Sequence, residues 1–268
     1  MPNILLDVDT MLYRVGYASP APPTPEAACA RLKKMIDDTE YKISTHISRA
    51  MGEPYQQLLV FLTVPDGKGR YRDKFNKETT YKATRALVPP PVFMEEMRDF
   101  IKKSYIVHLC PSSEYEADDA ISWHGWYNHE VTGNRDIIAG VDKDLNQIPG
   151  YHWDYSKDSR SSRIWTAFYY VSSDMANQFF FHQLLTGDVA DSIPGIKGIG
   201  PRRADNLLKK GTSPEEWWDI VLSTYTNKLP HLSEDEIAEI LYERGNKLWI
   251  QRHEGQTWYP PIPEKNHI

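Results

Sequence analysis

The sequence predicts an α/β fold with a largely parallel sheet. Two patterns carry this expectation. Short apolar, β-branched runs alternate with longer helical periods, and carboxylates gather where the runs end. Predicted strands cover residues 3–7 (NILLD), 58–63 (LLVFLT), 105–109 (YIVHL) and 136–141 (DIIAGV), with weaker candidates at 152–155 and 163–165. Predicted helices cover 25–51, 92–103, 114–129 and 174–185. Residues 66–91 hold many charges, no clean period and the breaker run Pro89-Pro90-Pro91, so this stretch reads as a mobile excursion. A helical region follows from Gly187 to His253, and the Pro-rich tail from Gly255 reads as extended. The expected organisation is an α/β core at 1–186 that includes the excursion at 67–91, a helical region packed on it at 187–253, and a tail at 254–268.

A chain of 268 residues suits one large domain, or one domain with a small appendage. No run approaches the roughly 18 apolar residues that a bilayer span requires, so no membrane partner is expected. The opening MPNILLDVDT has no basic segment and places acids where a signal peptide would be apolar. Cys29 and Cys110 lie far apart and form no CxxC, which argues for a reducing cytoplasm and against a disulfide framework or zinc site. The net charge of −6 counts at first against a nucleic-acid partner, but its distribution matters more. Lys68, Arg70, Arg72, Lys74, Lys77, Lys82 and Arg85 form one basic island, and Lys197, Arg202, Arg203, Lys209 and Lys210 form another.

The excess acid is concentrated at predicted strand ends. Asp7 and Asp9 close the first strand, Asp66 follows the second, and Glu116, Asp118 and Asp119 open the helix after the third. Asp142 and Asp144 follow the fourth strand, and Asp188 and Asp191 follow the Phe-rich helix. Ligands of open α/β sheets gather beyond the carboxyl ends of the strands, so these groups are expected to converge. Two carboxylates 4 Å apart repel by about 4 kcal/mol at an effective dielectric near 20, so such a cluster needs cations. Oxygen donors without His or Cys favour Mg²⁺ or Mn²⁺. The number of acids suits two ions acting on an in-line phosphodiester displacement. Each motif alone also has a structural account. Ser113-x-x-Glu116 fits a capping box, Asp66-Gly67 and the Asp142–Asp144 pair fit turns, and Gly187 fits a helix cap before Asp188 and Asp191. Their common place in the topology favours chemistry.

The run from Ile196 to Ala204 fits a helix–hairpin–helix pattern. Gly198 and Gly200 allow a tight turn and close approach to a phosphate, and Pro201 can begin the second helix. Amides at that N-terminus, with Lys197, Arg202 and Arg203, suit DNA backbone contacts indifferent to sequence. In the other island, Arg72 joins the expected DNA contacts. Tyr81 is placed to stack a base, with Lys82 and Arg85 holding the scissile phosphate. A solvated charged loop is the alternative for this segment.

In order, Asp7, Asp66, YKATR, EADD, VDKD and GDVADSIPGIKGIGPRRA resemble the flap endonuclease and 5′→3′ exonuclease family. The likeness is greatest to stand-alone bacteriophage 5′ nucleases and the 5′-nuclease domain of DNA polymerase I. It spans about Asn3 to Leu208. The resemblance implies a PIN-like core with a mixed, largely parallel central sheet flanked by helices, a helical arch or clamp, and a helix–three-turn–helix that grips duplex DNA. It implies Asp7, Asp66, Glu116 and Asp118 around a first metal, and Asp119, Asp142, Asp144, Asp188 and Asp191 around a second. It also implies Lys82 and Arg85 at the reacting phosphate, Tyr81 as a gateway aromatic, and K⁺ at the hairpin near Ile196–Gly200. Asp9 stands where the family varies, and Thr84 replaces an asparagine often found in the basic motif.

The activity implied is metal-dependent hydrolysis of duplex or branched DNA with 5′ ends, flaps or nicks, in replication or repair. Exonuclease and flap-endonuclease action, an RNA primer or RNA–DNA hybrid, and replication-protein partners all stay open. A monomer in the cytoplasm, that of a bacterial host if phage-encoded, is expected. One rival is a haloacid-dehalogenase-type phosphatase, whose DxD motif resembles Asp7-Val8-Asp9, although its threonine falls one residue later than Thr10. A PIN-type ribonuclease shares the acidic core but not normally the hairpin. A non-catalytic structure-specific DNA-binding protein would have no use for the acids.

Overall fold

A parallel strand covered on both faces must be apolar throughout, and every residue of β1 (Ile4–Asp7) is buried. The computed structural model describes residues 1–50, 52–63, 70–109, 114–132, 135–157 and 167–261, and divides the chain into two units. The first comprises Met1–Lys68, Pro89–Val171 and Arg252–Glu254; the second comprises Gly69–Val88, Ser172–Gln251 and Gly255–Ile268.

The first unit holds a six-stranded sheet. The strands are β1, β2 (Leu58–Leu62), β3 (Val107–Leu109), β4 (Ile137–Gly140), β5 (Gly150–Asp154) and β6 (Phe168–Val171), in spatial order β3-β2-β1-β4-β5-β6. The first five run parallel and β6 returns antiparallel to β5. Leu6 lies between Val60 on one side and Ala139 on the other. Chain progression therefore reverses at β1, which opens a crevice beyond the carboxyl ends of β1 and β4.

Period-two alternation divides the side chains between the two faces of the sheet. Ile4, Leu6, Val60, Leu62, Ile137 and Ala139 share one apolar cluster with Leu12 of α1 (Asp9–Gly16), Leu32 and Ile36 of α2 (Pro25–Ala50), and Met97 and Ile101 of α3 (Met94–Ser104). Helix α4 (Ala117–Thr132) packs instead on β1, β2 and β3, where Phe61 meets His124 edge-on. The four principal strands fall within two residues of expectation, and the weaker one at 152–155 becomes β5. The candidate at 163–165 lies outside the described residues. Helix α1 and strand β6 were not anticipated. Helix α3 starts at Met94, after a left-handed Phe93.

The second unit is helical. Its helices are α5 (Ser173–Thr186), α6 (Pro201–Leu208), α7 (Pro214–Lys228) and α8 (Glu234–Leu248), joined by the short β7–β8 ladder (Gly187–Asp188 with Ile193–Pro194). Ser172, Ser213 and Ser233 cap α5, α7 and α8 through their hydroxyls, each satisfying an otherwise unpaired amide. Phe180, Leu184, Trp217, Trp218, Val221, Tyr225, Ile237 and Leu241 form the centre of its core.

Three organisational expectations change. Helix α5 groups with the second unit rather than with a core ending at 186. Gly69–Val88 also belongs there, and holds two 3₁₀ turns, Tyr71–Phe75 and Ala83–Leu87, where an irregular excursion of the core was expected. The tail is not a simple extended appendage. Trp258 is buried against Phe180 and Trp218, its ring lies in the space left by the absent side chain of Gly245, and Asn246 bonds both its N–H and its carbonyl. Among the described residues no helix is long and apolar enough to cross a membrane.

Candidate functional site

In the first unit a line of hydrogen bonds runs along the carboxyl ends of the strands. The Asp9 amide donates to Asp7 Oδ1 at 3.0 Å, which holds the first two acids in one turn. The Asp9 carboxylate in turn accepts the Thr63 amide at 3.3 Å, just beyond β2. Thr63 Oγ1 accepts the Ala117 amide at 2.9 Å, at the start of α4. One residue earlier, the Glu116 amide donates to Asp119 Oδ2 at 3.2 Å. The ends of β1 and β2 and the first turn of α4 are thus tied together. Thr63 is the residue that sequence reasoning missed; its only signal is a polar side chain directly after an apolar strand.

Burial perturbs the titratable groups at this place. Burial pushes the Asp9 carboxyl above its ordinary range; bonds from Thr63 and the charge of Arg98 pull it back, and the charge of Glu116 adds to the rise. Burial, together with the charge of Asp7, raises the Tyr155 phenol well above its usual value, and its hydroxyl donates to the Asp7 carbonyl at 3.2 Å. Asp119 is fully buried, and its amide donates to Asp118 Oδ1 at 2.8 Å. After β4, Asp142 caps a 3₁₀ turn by accepting the Asp144 amide at 3.0 Å, while Lys143 pairs with Asp144 at 3.2 Å.

An all-oxygen donor set fits hard divalent cations in chemistry. The expected convergence is reached only in part. Among the described residues no three His, Cys, Asp or Glu side chains come close enough to hold one ion. Asp66 lies outside the described residues, as does Ser113 of the anticipated capping box.

The last two acids lie in the second unit, Asp188 at the end of β7 and Asp191 in the loop between β7 and β8. Asp188 and Asp191 are both buried. Asp188 Oδ1 accepts the amides of Ala190 and Asp191 at 2.8 and 3.3 Å, a local turn built by the side chain. Gly187 permits the ladder, since with φ +70° a side chain there would strike the backbone of Ile193–Gly195. Asp191 meets the basic island. Its Oδ2 accepts the Tyr81 hydroxyl at 3.0 Å and lies 3.9 Å from Lys82 Nζ. Its carbonyl accepts the Lys82 amide at 2.9 Å.

Two residues of that island are not where the sequence put them. Tyr81 is 2% exposed, with Arg70 and Lys82 over its ring, so it presents no face to a base and acts as a strut. Arg72 is also 2% exposed and donates to the Trp249 carbonyl at 2.9 Å, at the C-terminus of α8, instead of reaching a phosphate. The partners that hold them, Asp191 for Tyr81 and the Trp249 carbonyl for Arg72, lie far along the chain and leave no local sign. Arg85 lies in the second 3₁₀ turn, and its side chain is outside the described set.

The hairpin carries its glycines and charges at the surface. Ile196, Ile199 and Ala204 are buried, while Lys197, Gly198, Gly200, Arg202 and Arg203 are exposed. Gly198 adopts φ +84° with open space where a side chain would stand, and Gly200 and Pro201 open α6 as cap and first residue. A backbone turn with no side chain in front of it, flanked by arginines, can approach an anion closely.

No protein-family profile matches the chain. DNA polymerase I of Caldicellulosiruptor bescii is 29% identical over 186 residues, covering 61% of this chain and 20% of that protein. A 5′-3′ exonuclease of Mycoplasma pneumoniae is 31% identical, covering 52% of this chain and 50% of its own length. Among solved structures, the bacteriophage T5 flap endonuclease in complex with DNA and metal ions superposes with a TM-score of 0.56 over 91% of this chain and 89% of its own, at 14% identity. The chain is thus similar in sequence to a DNA polymerase I and a 5′-3′ exonuclease, and similar in fold to a flap endonuclease. The structural likeness is one of fold, and the chain spans half or less of the length of these sequence relatives.

Proposed function

We propose that this chain is a divalent-metal-dependent 5′ nuclease that hydrolyses phosphodiester bonds of duplex or branched DNA. The observation that carries the reading is the hydrogen-bonded line from Asp7 through Asp9 and Thr63 to the start of α4, set where the strand order of a 5′-nuclease fold reverses. Asp7, Glu116, Asp118, Asp119, Asp142 and Asp144, with Asp66, would hold the ions. Bound divalent ions supply Lewis-acid charge for in-line displacement at phosphorus. Magnesium is the ion proposed, with manganese able to replace it, and potassium at the 196–200 hairpin.

The chain's own groups do the rest. Asp9 and Thr63 orient the acids on either side of them. Lys82 and Arg85 carry positive charge to offset what develops on the reacting phosphate. Lys197, Arg202, Arg203 and the amides near Gly198 and Gly200 hold the DNA backbone without reading bases. The proposal includes a monomer working in the cytoplasm on 5′ ends or flaps, with RNA primers as a second substrate.

The test is cleavage of 5′-flapped and blunt duplexes in Mg²⁺ or in EDTA, beside the Asp7→Asn variant. Cleavage in Mg²⁺ alone, lost in the variant, is the expected result. Product lengths separate exonuclease from flap-endonuclease action. A wild type that binds DNA yet cuts no DNA or RNA–DNA substrate would overturn the reading in favour of a binding module.

A further inference from the structure

The geometry points to Glu243 and Arg244 of α8 as positioning residues for Lys82, acting through the backbone at Glu78 and Thr79. This rests on the reading of Lys82 as a phosphate contact.

Three consecutive ionic grips hold the segment. Glu243 accepts the Glu78 amide on both carboxylate oxygens, at 2.8 and 2.9 Å, and the Thr79 amide at 3.4 Å. Arg244 clasps the Glu78 carboxylate with two donors, through Nε at 2.9 Å and through Nη2, and its Nη1 donates to the Tyr225 hydroxyl at 3.1 Å. Tyr225 donates onward to the Leu184 carbonyl in α5 at 2.7 Å. One turn later, Lys247 donates to the Thr79 carbonyl and to Glu243. Glu243, Arg244 and Lys247 are all buried. Buried ions cost more than a well-packed apolar staple of the same volume, and their best-attested use is to fix one arrangement among several.

What they fix lies three residues on. Lys82 has φ +54°, a left-handed backbone that a lysine seldom adopts, and its side chain is only 9% exposed. Such strain persists only where both flanks are fixed. Downstream the fixed point is Asp191, which takes the Lys82 amide on its carbonyl and faces the ammonium with its carboxylate. Upstream it is α8, aided by Asn76, which accepts the Tyr81 amide at 2.9 Å. Without the α8 grip, Lys82 can relax to an ordinary φ and its ammonium leaves its post. A misplacement of about 1 Å can cost on the order of a hundredfold in rate.

The experiment compares wild type, Glu243→Ala and Glu78→Ala, the last a milder variant because the Glu78 side chain is 35% exposed. Amide exchange is followed by NMR, alongside single-turnover cleavage of a 5′-flap duplex and DNA affinity in EDTA. The Lys82 amide should lose about tenfold or more of its protection while amides inside α5 and α8 keep theirs. Cleavage should fall about tenfold to a hundredfold with affinity held within about twofold. In a Lys82→Ala background neither substitution should slow cleavage further. Unchanged protection at Lys82, or an equal further loss in the Lys82→Ala background, overturns the inference. A wild type that cuts nothing overturns the nuclease reading alone, because exchange at Lys82 still decides the link to α8.

Discussion

The acids of the first unit and the lysine of the second are placed by opposite means. Asp7 is fixed by strand register and by the amide of Asp9 two residues away, so topology alone puts it at the end of β1. Lys82 owes its place to bonds from α8 that close loops of up to 168 residues, and to a buried set of charges. The first arrangement tolerates change wherever the sheet forms. The second needs every ion of its network. A cradle of like charge can be built from backbone order, whereas a single strained cation needs a dedicated brace.

The largest effect expected tests the topological half. Asp7→Asn keeps an oxygen for the Asp9 amide yet removes a charge, so cleavage should fall at least about a thousandfold while the melting curve stays. Activity within tenfold of wild type would move the chemistry elsewhere. The braced half is tested next by Lys247→Met. It leaves the buried Glu243 with amide donors but no cationic partner, and urea unfolding should report a loss of about 3–5 kcal/mol. A loss below 1 kcal/mol would mean that the network is wetter than its burial suggests.

A third measurement separates the units by pH. Burial pushes the His152 imidazole in the first unit down to about 4, with a bond to the Ile148 carbonyl opposing the shift. Its folded value lies below an unfolded value near 6.5, so in that window only the unfolded chain takes up the proton. Stability should therefore be intact above pH 6.5 and fall by roughly 3 kcal/mol as pH drops to about 4. A His152→Gln variant with the same slope would assign that loss to another group. The smallest effects concern the hairpin. Arg202→Ala and Arg203→Ala should each lower the salt dependence of DNA binding by about one unit of slope. Gly198→Ala should cost about 1–2 kcal/mol from its φ of +84°. Loss of binding that discriminates between sequences would contradict a backbone grip.

What could be read from the sequence follows the same division. Strands β1, β2 and β4 are short apolar runs, and acids stand out against them, with Asp7 closing β1 and Asp142 two residues beyond β4. Helix α1 was hidden because Asp9 looked like the end of a strand when it is the first residue of a helix. Strand β6, FYYV, has too short a run to declare itself and forms through pairing with β5. Tyr81 and Arg72 were misjudged for a deeper reason. In sequence they sit among cations, and nothing local announces that Asp191 will take the Tyr81 hydroxyl or that the Trp249 carbonyl will take the Arg72 guanidinium. Local composition predicts a side chain's company only when its neighbours in space are also its neighbours in the chain.

The seat of Trp258 has a further consequence for how the molecule comes into being. Four helices can be synthesised and still surround a hollow beside Gly245, waiting for an indole that emerges later from the ribosome. Shortening the chain just before that point would not trim a loose end; it would pull the stopper from the second unit.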